Sequence, residues 1–155
     1  MTSEAIEASP PTPDRGLGRR LVWHGVLLFF LGLVGGMAIS AMANPRMGVS
    51  AHVGTVLNGT FLIALGAAWG GLDLSPRAQR IAFWLLVLSS YGGCLGLYLA
   101  AILGTHDSTP IHGAAQRASA WREGLVFLTL TVSGIATLVG TAVALRGFGR
   151  RAGSN

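Results

Sequence analysis

The chain has 155 residues, of which 51% are hydrophobic and 11% charged, and its mean hydropathy is +0.57. Because average proteins carry about 25% charged residues, this composition excludes an ordinary soluble domain and indicates a membrane protein. All 11 basic residues are arginines that lie almost entirely between or outside the apolar runs. The net charge of +5 therefore belongs to the flanks of membrane helices, and a nucleic-acid-binding face is excluded.

Residues 1–19 are rich in Pro, Ser, Glu and Gly and lack apolar periodicity, which predicts a disordered N-terminal tail. This tail is not a signal peptide, because acidic residues precede its arginines and the apolar run that follows is too long. Four apolar runs follow, at about 21–42, 49–70, 81–103 and 123–146, and each is long enough to cross a bilayer. They predict an all-α, four-helix transmembrane bundle over residues 20–147 and a basic C-terminal tail over 148–155.

Turn-forming residues separate the four runs. Pro45 marks the first break, and the second and third connections, "GGLDLSPRAQR" and "GTHDSTPIHGAAQRASAWREG", contain the Gly, Pro and Asp that end helices. In the second connection Ser75 is expected to cap a helix whose first residue is Pro76. Glycine is abundant, with 23 residues. Three small-xxx-small pairs, Gly32/Gly36, Gly66/Gly70 and Gly92/Gly96, are expected to serve mainly packing within the bundle, with a subunit interface as the alternative.

The arginines predict the orientation in the membrane. Three of them fall in the first and third connections, and eight fall at the opposite face: Arg15, Arg19, Arg20, Arg77, Arg80, Arg146, Arg150 and Arg151. The positive-inside rule then puts both termini in the cytoplasm of a protein of the cell inner membrane.

Polar residues gather at the other face, which the connections 43–49 and 104–122 share. His52 and Asn58 near the start of the second predicted helix lie at the same end as Tyr98 near the end of the third. His106 and His112 follow in the third connection, where "HDSTPIH" has the spacing of a metal site but is interpreted as an ordinary loop.

His52 is the sharpest candidate for a functional residue. An imidazole in a membrane helix can bind a metal or haem, carry a proton, or only bond a neighbouring carbonyl. Asn58 can line a pocket or bond across to another helix, and Tyr98 can be an aromatic-belt residue. Cys94 is interpreted as a small core residue. The absence of arginines and carboxylates inside the runs argues against a transporter or an ion pore.

The stretch "NPRMGVSAHVGTVLNGTF", together with the later "YGGCLGLYLAAILG", resembles the hydroxylaminobenzene mutases, small integral-membrane isomerases, and more distantly the styrene oxide isomerases. The likeness covers about 22–146. It implies a homotrimer of four-helix subunits holding haem b, with His52 as the axial iron ligand. By the same motifs, Asn58 and Tyr98 would bind and orient the substrate. Arg46 could pair with a haem propionate or with headgroup phosphate.

The implied activity is the redox-neutral conversion of an arylhydroxylamine to a 2-aminophenol, with ferric haem as a Lewis acid acting on a small aromatic substrate. The chain departs from the epoxide-isomerase pattern around Tyr98, where the neighbours in "GGCLGLYLAA" are small and aliphatic. Rearrangement of an epoxide to an aldehyde is therefore the alternative activity, and a non-enzymatic haem-binding membrane subunit is the alternative from another class.

Overall fold

A computed structural model describes residues 15–113 and 118–152, and these residues form helices joined by turns. The four long helices are α1 (Arg15–Met37), α2 (Pro45–Ala68), α3 (Pro76–Leu103) and α5 (Ala120–Ala152), and a single short turn forms α4 (Pro110–Gly113). All four long helices are long and apolar enough to cross a membrane. The prediction of an all-α, four-helix transmembrane bundle is confirmed.

The outer helices extend beyond the predicted ends of the apolar runs. Helix α1 begins at Arg15, inside the segment expected as a tail, and α5 continues to Ala152, inside the expected C-terminal tail. Arginine is a good helix former, so the helices continue through the basic flanks after hydrophobicity ends. Residues 1–14 and 153–155, which hold the rest of the two expected tails, lie outside the described residues.

Helix α2 begins earlier than its apolar run. The side chain of Asn44 accepts a hydrogen bond from the Met47 amide at 3.1 Å, and Pro45 occupies the first helical position. His52 consequently lies about 10 Å along the helix axis from Pro45. It is therefore deeper in the helix than the apolar run, which begins at about residue 49, had indicated. The predicted start of α3 is confirmed, because Ser75 caps the helix through the Ala78 amide and Pro76 follows it.

The long helices pack in a row rather than as a closed square. Helix α1 packs on α2, α2 on α3 and α3 on α5, while α1 touches α3 only slightly. Over the ranges 15–113 and 118–152, no Cα atom of α5 lies within 8 Å of a Cα atom of α1 or α2. Helices α1 and α3 therefore diverge on either side of α2 and leave a cleft between them.

Glycines allow α1 and α2 to touch through their backbones. A Cβ atom placed on Gly59 would lie 2.6 Å from the Phe29 amide nitrogen and 2.7 Å from the Gly25 carbonyl oxygen. Gly32 and Gly36 also face α2, and Gly92 and Gly96 face α5. Packing within the chain is thus confirmed for the first and third glycine pairs. In the second pair, Gly66 packs on Gly18, whereas Gly70 faces open space.

Candidate functional site

A cavity of about 410 Å³ occupies the cleft between α1 and α3, with α2 behind it. Its rim includes Leu31, Val34 and Leu95, which are 43%, 47% and 57% exposed. Because this surface belongs to membrane-spanning helices, the cavity opens sideways toward the hydrocarbon. The wall residues are Leu28, Leu31, Val34, Gly35, Ala38, Met42, Thr55, Tyr91, Cys94, Leu95 and Tyr98.

Helix α3 supplies most of the polar groups of this cavity. Tyr91, Cys94 and Tyr98 follow each other at intervals of three and four residues, so a helix of 3.6 residues per turn places them on one face. Thr55 of α2 adds a fourth polar side chain, and its hydroxyl donates to the Ala51 carbonyl at 2.7 Å. Cys94 is buried, as expected for a small core residue, but it also forms part of the cavity wall.

The hydroxyl of Tyr98 is the unusual group in this wall. Its oxygen is buried and makes no well-formed hydrogen bond within residues 15–113 and 118–152, where the Thr55 side chain is a polar neighbour, although an unpaired hydroxyl in an apolar environment is costly. Gly35 of α1 lies directly opposite, and a Cβ atom there would overlap the phenol oxygen. Tyr98 therefore lines the cavity, and the close approach of Gly35 covers its hydroxyl.

Asn58 lies behind the cavity wall. Its amide nitrogen donates to the sulfur of Cys94 at 3.9 Å, which joins α2 to α3. Sulfur is a weak acceptor, so this contact only lightly restrains the amide. Asn58 thus contacts a wall residue of the cavity, Cys94, but does not itself line the cavity.

His52 faces α1 instead. Its Nδ1 lies 2.8 Å from the Gly32 carbonyl oxygen, and a Cβ atom on Gly36 would lie 2.7 Å from that nitrogen. A carbonyl only accepts hydrogen bonds, so Nδ1 is the donor, and in the neutral ring the lone pair is on Nε2. This tautomer, fixed by a backbone carbonyl, is the one that histidine ligands of metals commonly adopt.

The structure does not place the side chains of His52 and Asn58 on the same side of α2. They are six residues apart, which rotates their side chains by about 120° around the helix axis. His52 consequently meets α1 and Asn58 meets α3, and His52 is not a wall residue of the cavity. His52 and Tyr98 nevertheless contact successive residues of α1, Gly36 and Gly35, so they share one end of the bundle as predicted.

Arg46 and the loop residues lie at that same end. Arg46 borders a surface groove with Val49, Ser50, Ile111 and His112. The backbone amides of His106 and Asp107 donate to the Glu123 carboxylate at 2.9 and 3.1 Å, an ordinary loop anchor. No group of three or more His, Cys, Asp and Glu side chains that could hold a metal ion occurs in residues 15–113 and 118–152.

The sequence reasoning missed Tyr91 and His24. The Tyr91 hydroxyl lies 3.2 Å from Nδ1 of His24 on α1, and the imidazole makes edge contacts with Trp23 and Phe83. Tyr91 precedes Tyr98 by seven residues, a spacing that could have placed both on one helix face. His24 gave no comparable signal, because its partner lies 67 residues away.

Four candidate spans and a small, mostly apolar cavity open to the bilayer define a multi-pass membrane protein. The sequence profile of the styrene oxide isomerase family matches residues 17–149. The chain therefore belongs to the styrene oxide isomerase family.

Two curated relatives are similar over most of their length. The hydroxylaminobenzene mutase HabB of Ectopseudomonas oleovorans is 40% identical over 138 residues, which cover 88% of this chain and 84% of the relative. The hydroxylaminobenzene mutase HabA of the same organism is 38% identical over 107 residues, covering 68% and 79%. With this family membership, the protein is a multi-pass membrane isomerase.

Proposed function

We propose that this isomerase converts an arylhydroxylamine to a 2-aminophenol by moving the hydroxyl group from nitrogen to the ring. The simplest such substrate is hydroxylaminobenzene, which is also called phenylhydroxylamine. The observation that carries the proposal is Tyr98 in the wall of a mostly apolar cavity, with a hydroxyl that makes no well-formed hydrogen bond to any residue the structure describes. It can donate to the oxygen of the substrate, while the aliphatic walls accept the ring. The names of the two mutase relatives support this substrate class.

The sideways opening of the cavity suits such a substrate. A small aromatic molecule partitions into the bilayer and can enter past Leu31, Val34 and Leu95. The same walls restrict water, which would otherwise compete for the electron-poor ring once the N–O bond weakens. In this proposal Tyr98 binds the migrating oxygen, and Asn58 orients it from behind Cys94.

We also propose that His52 binds haem b, as the family resemblance implies. The Nδ1–H of His52 is held by the Gly32 carbonyl, which leaves Nε2 as a ligand atom and makes it more basic. Gly36 provides the space that the imidazole occupies. Bound ferric haem would supply a Lewis acid that polarises oxygen, and Arg46 is the proposed partner of a propionate.

Because His52 is not a wall residue of the cavity in its own chain, a second copy is proposed to complete the site. In a homotrimer, His52 of one subunit would face the cavity of the next. His52 and Asn58, which point to different sides of α2 within one chain, would then serve the same site. The proposed location is the cell inner membrane with both termini in the cytoplasm, based on the arginines at that face.

The test uses purified full-length protein in detergent. With phenylhydroxylamine under anaerobic conditions it should form 2-aminophenol without a reductant, and it should show a Soret absorption band. His52→Ala should lose the band, whereas His106→Ala, a histidine in the 104–109 loop, should keep it. Failure of the wild type to form 2-aminophenol would overturn the substrate, and a colourless active wild type would overturn the haem.

A second candidate activity is the rearrangement of an aryl epoxide to an aldehyde. It is favoured by the match of the styrene oxide isomerase profile to residues 17–149, and it uses the same hydroxyl donor at the migrating oxygen. Parallel assays with phenylhydroxylamine and styrene oxide decide between the two. The mutase proposal predicts the higher kcat/KM for phenylhydroxylamine, and the opposite ranking would favour the epoxide.

A further inference from the structure

The cavity is longer than a single aromatic ring. It follows α1 from Leu28 to Ala38, and a helix rises about 15 Å over that many residues. Its volume of about 410 Å³ falls in the range of roughly 300–1,000 Å³ that is typical of pockets for drug-sized ligands. Phenylhydroxylamine, which is one ring with a short side group, would therefore fill only part of the cavity.

Each end of the cavity carries a tyrosine. Tyr98 lies opposite Gly35, and the Tyr91 hydroxyl lies 3.2 Å from Nδ1 of His24. The two tyrosines are seven residues apart on α3, and Gly35 and His24 are eleven residues apart on α1. At about 1.5 Å per residue, these separations are about 10 Å along α3 and about 16 Å along α1. A single small ring consequently cannot touch both hydroxyls.

The Tyr91 end of the cavity can form a further hydrogen bond. His24 is half-buried and makes edge contacts with Trp23 and Phe83, which hold the imidazole beside the phenol. A phenol both donates and accepts. If Tyr91 donates to Nδ1 of His24, its oxygen can accept from a ligand, and if Nδ1 donates, the phenol proton is free for a ligand. Tyr91 is itself only half-buried and lines the cavity, so a ligand can reach it.

The separation of the two ends fits a substituent that is para to the hydroxylamine. With covalent bonds of about 1.4 Å and a hydrogen bond of about 2.8 Å, the para carbon of a bound phenylhydroxylamine lies about 8 Å from the Tyr98 oxygen. A polar atom one or two bonds further out, with its own hydrogen bond, spans about 12–13 Å. This length falls between the separations measured along α3 and α1. A meta substituent points away from this axis and falls short.

We propose that Tyr91, held by His24, is a distal binding site for a polar group para to the hydroxylamine of the substrate. A carboxamide suits this site, because it both donates and accepts and so fits either proton position of the bond between Tyr91 and His24. The preferred substrates are then arylhydroxylamines that carry such a group. The inference rests on the proposed function. Tyr91 binds the substrate away from the reacting nitrogen and oxygen, and His24 is a positioning residue that acts through Tyr91.

The test measures the para preference of the purified full-length protein, defined as the ratio of kcat/KM for 4-hydroxylaminobenzamide to kcat/KM for 3-hydroxylaminobenzamide. Comparing this ratio between enzymes cancels the electronic effect of the substituent on the reaction. Tyr91→Phe removes the hydroxyl and should lower the ratio about 2- to 10-fold, as expected for the loss of one neutral hydrogen bond. The loss should appear in KM for the para amide rather than in kcat, because the bond forms equally in the ground and transition states.

Three further variants separate a binding site from a structural contact. His24→Leu removes the hydrogen bond of the imidazole and should lose part of the para preference, whereas His24→Gln keeps a hydrogen-bonding group and should retain more of it. Trp84→Phe is the matched control, because Trp84 lies on α3, is 53% exposed and is outside the cavity wall. It should keep the wild-type ratio.

The failure of this site is distinguishable from the failure of the proposed function. An unchanged para preference in Tyr91→Phe would overturn the distal site, and so would a wild type that converts phenylhydroxylamine but not the para amide. In both cases the turnover of phenylhydroxylamine would still uphold the mutase function. An equal ratio in His24→Leu and the wild type would overturn the role of His24. A wild type that is inert toward phenylhydroxylamine and both amides would overturn the proposed function together with the distal site.

Discussion

The two cavity tyrosines should respond to loss of their hydroxyl groups with opposite changes in stability. The Tyr98 hydroxyl is buried and makes no well-formed hydrogen bond within the described part of the chain, and an unpaired buried hydroxyl costs about 1–3 kcal/mol. Tyr98→Phe removes that cost and keeps the ring, so it should raise the free energy of unfolding by about this amount. The same hydroxyl is proposed to bind the substrate oxygen, so kcat/KM should fall.

Tyr91→Phe is the matched control. Its hydroxyl is bonded to His24, so its removal loses a hydrogen bond worth about 0.5–1.5 kcal/mol; bonds between membrane helices average about 0.6 kcal/mol. For chains of about 150–250 residues, each kcal/mol corresponds to roughly 2–4 °C in the thermal midpoint. Tyr98→Phe should therefore melt several degrees above the wild type, and Tyr91→Phe a few degrees below it.

The assay is the fraction of detergent-solubilised protein that remains monodisperse by size-exclusion chromatography after heating, run beside phenylhydroxylamine turnover. A lower midpoint for Tyr98→Phe would show that the hydroxyl is paired in the working protein. That result would refute the inference that Tyr98 holds an unused donor for the substrate. Unchanged turnover would demote Tyr98 to a packing residue.

Three more experiments test other parts of the structure. Gly59→Ala places a methyl group 2.6 Å from the Phe29 amide nitrogen and should destabilise the protein by about 1–3 kcal/mol. The control is Gly134→Ala on α5, where nothing lies within 4 Å of the added methyl group and the change should be tolerated. Equal thermal midpoints for the two variants would contradict the α1–α2 packing. Glu123→Gln removes the charge from the carboxylate that accepts hydrogen bonds from the His106 and Asp107 amides. The weaker anchor should make proteolysis in the 104–109 loop faster. An unchanged cleavage rate would show that this anchor is dispensable. Co-expression of His52→Ala with Tyr98→Phe should give more activity than either variant has alone, because a mixed trimer regains one complete site. No gain in the mixed protein would contradict a site shared between subunits.

Much of the fold is predictable from local chemistry. Hydrophobic length alone indicated four spans, and the Ser75–Pro76 pair indicated where α3 begins. Pro45 was harder to interpret, because the same residue can end one helix or begin the next. The Asn44 side chain, which bonds the Met47 amide, decides that it begins α2.

The candidate site was only partly predictable. Residues at one end of the bundle could be grouped from the order of the spans, and His52 and Tyr98 do lie near each other there. Periodicity already separates His52 from Asn58 by about 120° around α2, although the motif they share suggested a common pocket. The contact between His24 and Tyr91 joins two residues that are 67 positions apart in the chain. It depends on how α1 and α3 lie relative to each other, which no local pattern encodes.

The most direct measurement follows the oxygen atom. Phenylhydroxylamine labelled with ¹⁸O on the hydroxyl group is incubated with the purified protein in unlabelled water, and the aminophenol is examined by mass spectrometry. Intramolecular transfer in a dry cavity predicts 2-aminophenol that retains the label. Unlabelled 2-aminophenol, or 4-aminophenol formed by attack of water, would contradict it.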